Sequence, residues 1–249
     1  MKILICGVGG RMGREVAKLA LDGVRGASVA AGFDVMPIDT REFPTYTDWS
    51  AVQEKVDCII DFSHHTATEA LLNFAKANKI PTVVATTGHT EEEKALILSA
   101  AEEIPVFHSA NMSLGIALLV ELAKTAAKAF PDADIEIIEK HHNRKLDAPS
   151  GTALLLANAI KTVRNQAKFI FGRSGQAKRE ADEIGIHAIR MGNIIGEHEV
   201  IVGTDTQTIT LKHEAHSRAL FAEGALAAAE YLCGKPAGLY DMERMISEN

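Results

Sequence analysis

Cysteine, aromatic residues and basic charge are all in short supply, and each shortage removes a class of protein. The 249 residues include three cysteines, an odd number that cannot pair completely. Cys6 and Cys58 lie inside apolar, strand-like runs and Cys233 lies near the end of a late helix, so buried reduced thiols in a cytoplasmic protein are the simplest account. Aromatics make up 5%, with one Trp and three Tyr, which disfavours a large all-β sandwich. Bases number 26 against 33 acids, a net charge of -7, where a nucleic-acid binder would carry a basic surplus or stripe. No apolar run approaches the roughly 18 residues of a membrane-spanning helix. The apolar start, 3–10, is cut by Arg11 and followed by a helical pattern, so it reads as a strand and not as a signal peptide. What remains is ordinary for a folded globular chain: 47% hydrophobic and 24% charged. At roughly 150 residues per domain, this length predicts one to two domains.

Short apolar runs alternate with helix-period segments over the first 110 residues or so. Strands are predicted at 2–6, 28–33, 58–62, 82–85 and 105–108, mostly unbroken in apolar character, as suits parallel strands covered on both faces. Helices are predicted at 12–21, 49–55, 66–78 and 91–101, two of them opening on capping boxes, Thr66 with Glu69 and Thr90 with Glu93. This alternation implies a doubly wound parallel sheet of the Rossmann type. After Asn111 the rhythm changes to helices at 114–130 and 150–162, a strand at 135–139, and successive strands at 186–191, 197–202 and 208–213. Neighbouring strands without helices between them suggest an antiparallel sheet in a second domain of α+β type. The segment 172–179 reads as a loop, and the Ala-rich helix at 217–232 returns to the first domain.

The first strand runs into Gly7-Val8-Gly9-Gly10-Arg11-Met12-Gly13 and then a helix. Glycines there permit a tight turn and let backbone approach a pyrophosphate, which the helix N-terminus stabilises. The context, strand before and helix after, is what gives this pattern weight. Asp34 follows the second strand, where a carboxylate accepts from ribose hydroxyls. The bland alternative is a structural turn with a surface acid.

The densest chemistry lies in Glu139-Lys140-His141-His142-Asn143-Arg144-Lys145-Leu146-Asp147-Ala148-Pro149-Ser150-Gly151-Thr152. Two histidines and three cations crowd together in an acidic chain, and Ser150-Gly151-Thr152 then opens an apolar helix whose free N–H groups form an anion site. An imidazole and an ammonium beside such a site suit proton transfer on a small carboxylate. The bland alternative is a basic loop capped onto a helix. Metal binding is disfavoured: His141 and His142 point to opposite strand faces, and His213 and His216 lack the spacing of a zinc-protease motif. His64-His65 reads as a loop pair, and no GxSxG elbow supports acyl hydrolysis.

At these residues the sequence resembles the 4-hydroxy-tetrahydrodipicolinate reductase family (dihydrodipicolinate reductases), over essentially the whole chain. Residues 7–13 look like the family's GxxGRMG start. Asp61-Phe62-Ser63 looks like its DF[ST] strand end, and Ala85-Thr86-Thr87-Gly88 is similar to its GTTG with Ala for the first Gly. Residues 109–115 are similar to its AxNxSxG hinge, and the run from His141 to Thr152 to its most specific signature. Gly196-Glu197-His198-Glu199 and the segment 213–225 complete the series.

The resemblance implies a cytoplasmic homotetramer of diaminopimelate–lysine biosynthesis, with a dinucleotide-binding domain over 1–112 and 218–249. Residues 113–217 would form a substrate-binding and tetramerisation domain, with hinges near 112–115 and 217–218. Hydride would pass from NADH or NADPH to C4 of a cyclic dicarboxylate, giving tetrahydrodipicolinate. His141 matches the family's acid/base residue and Lys145 its second proton donor. His142, Lys145, Ser150, Gly151 and Thr152 fall at substrate-binding positions. Gly7, Val8, Gly9, Gly10, Arg11, Met12, Asp34, Ala85, Thr86, Thr87, Ser109, Ala110, Asn111 and Met112 fall at cofactor-binding positions. Val35 follows Asp34 where some members carry Arg, so no obvious cation awaits a 2′-phosphate. The competing readings are a two-domain dehydrogenase of another small amino or keto acid, and a dinucleotide sensor without chemistry. The segment 141–152 favours the reductase over both.

Overall fold

Residues that are apolar on both strand faces build the first sheet, as parallel strands covered by helices require. The computed structural model describes residues 1–248. In chain order the elements begin with β1 (Lys2–Cys6), α1 (Arg11–Leu21), β2 (Ser28–Phe33), β3 (Thr45–Tyr46), β4 (Cys58–Asp61), α2 (Thr68–Asn78), β5 (Thr82–Val84), α3 (Glu91–Ala101) and β6 (Pro105–His108). A second group follows: α4 (Leu114–Ala129), β7 (Asp134–His141), α5 (Gly151–Val163), β8 (Lys168–Phe171), β9 (Glu183–Arg190), β10 (Gly196–Gly203) and β11 (Thr208–Ala215). The chain closes with α6 (Ala219–Leu232), β12 (Gly238–Tyr240) and α7 (Met242–Ser247). Two compact units result, Met1–Leu114 with the chain from Arg218 onward, and Gly115–Ser217.

The first unit holds a parallel sheet in the order β12-β6-β5-β4-β1-β2-β3. Strand order reverses between β1 and β4, the switch point at which open α/β sheets bind ligands beyond their carboxyl ends. On one face Leu4, Ile59, Val84 and Val106 pack with Leu71, Leu72 and Ile97 of α2 and α3. The Ala-rich α6 packs on α1, and Gly224 brings it against the Met112 carbonyl, which a side chain at 224 would strike.

Gly7 adopts φ +78, a left-handed conformation that favours glycine, and its Cα faces the Phe62 carbonyl so closely that a Cβ would sit 2.6 Å from the oxygen. Gly13 lies over the Gly7 carbonyl, and a Cβ there would overlap it. Gly13→Ala is therefore expected to destabilise the chain by about 1–3 kcal/mol through forced backbone movement. Gly151→Ala, whose Cβ meets nothing within 4 Å, should leave the denaturant midpoint nearly unchanged. Equal midpoints for the two variants would show that α1 does not depend on this close approach.

The second unit is a mixed sheet, β11-β10-β7-β9-β8, with α4 and α5 against it. This corrects the antiparallel expectation: β10 pairs antiparallel with β7 and β11, but β9 pairs parallel with both β7 and β8. The β7-to-β9 connection carries α5, a crossover that permits parallel pairing. Strict alternation along β7 and β10 sends Ile135, Ile137, Val200 and Val202 into the core beside Leu156 and Ile160.

Two further expectations change. The helix predicted at 49–55 is one 3-10 turn, Trp49–Ala51, capped by the Asp48 side chain. Trp49 stacks on Phe33 and Phe74 at centroid distances of 3.7 and 4.8 Å, so its apolar character serves packing and not helix periodicity. Thr66 caps nothing on α2, which follows a short 3-10 turn, whereas Thr90 and Glu93 form the expected capping box on α3.

Candidate active site

The first unit gathers the predicted dinucleotide residues at one edge of its sheet. Gly7 to Met12 follow β1, Asp34 follows β2, Ala85 to Thr87 follow β5, and Ser109 to Met112 follow β6, all at carboxyl ends of parallel strands. The Gly9 N–H donates to Asp34 Oδ2 at 2.9 Å, so the carboxylate ties the glycine turn to the end of β2. Gly10 is the N-cap of α1 and supplies no side-chain cap, which leaves the first-turn N–H groups open to an anion. Arg11 is exposed at this terminus, as are Val35 and Met36 after Asp34. Ser109 Oγ accepts from Asn111 N–H and donates to its carbonyl, while Asn111 Oδ1 accepts from Ser113 N–H, a turn held by its own side chains.

At the end of β4, Asp61 is buried, and burial pushes its carboxyl up. It accepts from both Ser63 Oγ and Ser63 N–H, holding the loop whose Phe62 carbonyl meets Gly7. His65 Nδ1 lies 2.8 Å from Glu93, and His64 Nδ1 lies 2.9 Å from Thr66 Oγ1, so both serve the loop. Among the described residues no group of His, Cys, Asp or Glu is arranged to hold a metal ion.

In the second unit the alternation that builds the core turns polar at one end of the sheet. Glu139 and His141 continue the buried face of β7, and Gly196 and His198 that of β10. Glu139 is 0% exposed and accepts four hydrogen bonds. They come from His141 Nδ1 at 2.6 Å, both Arg190 terminal nitrogens at 2.8 and 2.7 Å, and the Ser150 N–H at 3.0 Å. Burial alone would push the Glu139 carboxyl up, but the hydrogen bonds from His141, Arg190 and Ser150 N–H outweigh it and hold the group down at about 2. His142, just past the end of β7, is half-buried.

Ser150 caps α5, its Oγ accepting from Ala153 N–H at 3.2 Å and lying 3.1 Å from His198 Nε2. It is buried, with its groups engaged inside the unit, whereas Gly151 is exposed at the first turn. Lys145 Nζ pairs with Asp147 at 2.8 Å and is about one-fifth exposed, 22%. Glu139, Arg190 and His198 were assigned no role from sequence. A signal was present for one of them, since period-two alternation puts residue 139 on the same face as residue 141. Arg190 reaches the site because β9 pairs with β7 so that it stands opposite His141.

His198 is 4% exposed, and burial first, then the neighbouring His141, holds it down at about 4. The unfolded chain protonates this imidazole near 6.5 and the folded chain near 4, so acid favours unfolding across that window. Stability fully present above pH 6.5 should fall as pH drops to 4, by up to about 3 kcal/mol at 1.36 kcal/mol per unit. Denaturant midpoints measured over this range should slope steeply in the wild type and less in His198→Asn. Equal slopes would assign the acid lability to other groups.

The groups of the second unit can move protons and hold anions. The fold of the first is one that holds a dinucleotide, whose nicotinamide carries hydride. Joined in one chain, these define a nicotinamide-dependent oxidoreductase of two-domain plan. The sequence profile for the N-terminus of dihydrodipicolinate reductase matches residues 1–112, and that for its C-terminus matches 115–246. The chain belongs to the dihydrodipicolinate reductase family.

It is 47% identical to the 4-hydroxy-tetrahydrodipicolinate reductase of Caldanaerobacter subterraneus subsp. tengcongensis, covering 100% of this chain and 99% of that one. It is 44% identical to the enzyme of the same name from Clostridium novyi, covering 98% of each. A solved dihydrodipicolinate reductase from a Paenisporosarcina species, with dipicolinate bound, superposes with a TM-score of 0.83 at 26% identity, covering 97% of each chain.

Proposed function

We propose that the chain reduces 4-hydroxy-tetrahydrodipicolinate to tetrahydrodipicolinate with NADH or NADPH, a step of lysine biosynthesis by the diaminopimelate route. The observation that carries this reading is the buried Glu139–His141 pair at the start of α5, in a chain of this family. Conversion replaces the C4 hydroxyl of a cyclic dicarboxylate by hydrogen, so one hydride and one proton are taken up and one water leaves.

In this reading residues 1–112 and 218–249 hold the dinucleotide and 113–217 the substrate. The cofactor's fit rests on the glycine turn that a Cβ at Gly7 would obstruct and on the uncapped first turn of α1. The Arg11 and Met12 backbone would hold the pyrophosphate and Asp34 the ribose, with the 85–87 and 109–112 loops completing the edge. When bound, the nicotinamide supplies hydride. His141 donates the proton that completes the reduction. Lys145 leaves Asp147 to hold a substrate carboxylate and assists the transfer, while His142, Gly151 and Thr152 bind the same dianion at the helix N-terminus. Ser150, engaged by Glu139, Ala153 and His198, shapes that terminus.

The chain works in the cytoplasm as a homotetramer, a reading that rests on family membership; its cysteines form no disulfide among the described residues. Among those residues no helix is long and apolar enough to cross a membrane. Light scattering on the purified chain tests the assembly.

The cofactor choice follows from charge. Asp34 at the ribose would face a 2′-phosphate, and two charges about 4 Å apart at an effective dielectric near 20 interact by about 4 kcal/mol. Relief needs a cation, and Val35 and Met36 supply none; Arg41 is exposed further along the loop. Both cofactors should support turnover, with kcat/KM for NADH at least equal to that for NADPH. A spectrophotometric assay with substrate freshly made from pyruvate and aspartate semialdehyde measures both at one ionic strength. A preference for NADPH of about tenfold, 1.4 kcal/mol, would contradict this reading of Asp34.

A further inference from the structure

We propose that Glu139, clamped by Arg190, is a positioning residue that fixes the proton of His141 on Nδ1 and leaves Nε2 as its working end. The inference rests on the reductase reading of the site and adds a residue to it. An ionised carboxylate is acceptor-only and offers about four lone-pair sites. In Glu139 all are taken: Oε2 by His141 and Arg190, Oε1 by Arg190 and the Ser150 N–H. A bidentate guanidinium adds geometric specificity to charge, and a carboxylate held this way has one orientation. Against such an acceptor the imidazole must place an N–H on Nδ1. Its exchangeable site is then Nε2, bearing a lone pair when neutral and a proton to give when charged.

A second observation marks the same atom. Among the described residues no protein group hydrogen-bonds to His141 Nε2. The nearest strand passes it at Gly196, where a Cβ would lie 3.1 Å from Nε2. Glycine within a strand weakens it and marks a place where something must approach closely. Here its missing side chain keeps Nε2 clear. Glu139 on β7 and His198 on β10 contact this imidazole directly; Arg190 on β9 reaches it through Glu139, and on the loop before α5 Lys145 acts on His198 and Asp147 on Arg190. Glu139 is the anion in direct contact. Removing its charge leaves the Arg190 guanidinium uncompensated and disfavours the imidazolium.

The test uses the full-length chain and Glu139→Gln, which keeps the shape and removes the charge. Loss of a partner that orients an imidazole lowers activity by about 10–100-fold in metal sites, and a fall in kcat of that order is expected here. The KM for the nicotinamide cofactor should stay unchanged. The limb of kcat/KM that falls with rising pH should move to lower pH, because the proton donor loses its anion. Independently, nitrogen NMR of histidine-labelled wild-type chain should show neutral His141 protonated at Nδ1, and Glu139→Gln should show a mixture of tautomers. Gly196→Ala should keep the wild-type tautomer and lose kcat.

A wild-type chain with the proton on Nε2 would overturn the proposal, whether or not the variant folds. So would a folded Glu139→Gln with wild-type kcat and pH profile. The tautomer is read without substrate, so an inactive wild-type chain would remove the reductase reading alone. An active wild type matched by its Glu139→Gln variant would remove the positioning role alone.

Discussion

Replacing His141 by alanine is expected to lower kcat by about 10²–10⁴-fold, the usual contribution of a positioned acid or base. The size follows from the site. His141 is nearly buried, with 10% of its side chain exposed, and is held through Nδ1 at 2.6 Å by a carboxylate that is itself fixed. Bulk water is a poor substitute in such a place, so little of the loss should be recovered by solvent. An interaction made mainly in the transition state lowers kcat and kcat/KM together, and the substrate KM should change little. Binding of NADH, followed by fluorescence or calorimetry, should remain near normal, since His141 lies in the second unit and the glycine turn in the first. A fall in kcat of less than about threefold would remove His141 from the chemistry.

Lys145→Ala should damage kcat/KM by well over tenfold. An exposed ion pair is worth about 0–1 kcal/mol, and a lysine whose task were only to hold Asp147 would fall in that range. Asp147 is mostly exposed, at 59%, and Lys145 lowers its carboxyl first of all by a hydrogen bond. The pair is thus an accessible resting partnership that a substrate carboxylate can replace. Asp147→Asn separates the two roles: it removes the resting partner and leaves the ammonium free for substrate. Kinetics for Asp147→Asn should stay near wild type, or improve in KM, while Lys145→Ala collapses. Equal and small losses in both variants would return Lys145 to a solvated loop lysine.

How much of this was readable in the chain differs between its parts for physical reasons. The first strand, glycine turn and helix were legible because their determinants are local: an apolar run, glycines at a left-handed turn, an uncapped helix start. The capping box at Thr90 was legible for the same reason. Trp49 misled because its partners, Phe33 and Phe74, come from distant segments and override helix periodicity. β8 was missed, as a short, half-exposed edge strand without clear alternation. The direction of β9 depended on the α5 crossover and not on the spacing of consecutive strands. In the site, His141 and Lys145 announced themselves by clustering in an acidic chain. Arg190 and His198 did not, because only strand register sets them opposite His141 and Glu139.

The central claim is that this chain delivers hydride to C4 of a cyclic dicarboxylate as the hydroxyl there departs. Turnover with NADH deuterated at the transferable position of the nicotinamide, followed by mass spectrometry and NMR of the product, tests it most directly. The account predicts tetrahydrodipicolinate carrying one deuterium at C4, formed in step with cofactor oxidation and absent in His141→Ala over the same interval. Cofactor oxidation without label at C4, or no oxidation with this substrate while the folded chain binds NADH, would contradict it.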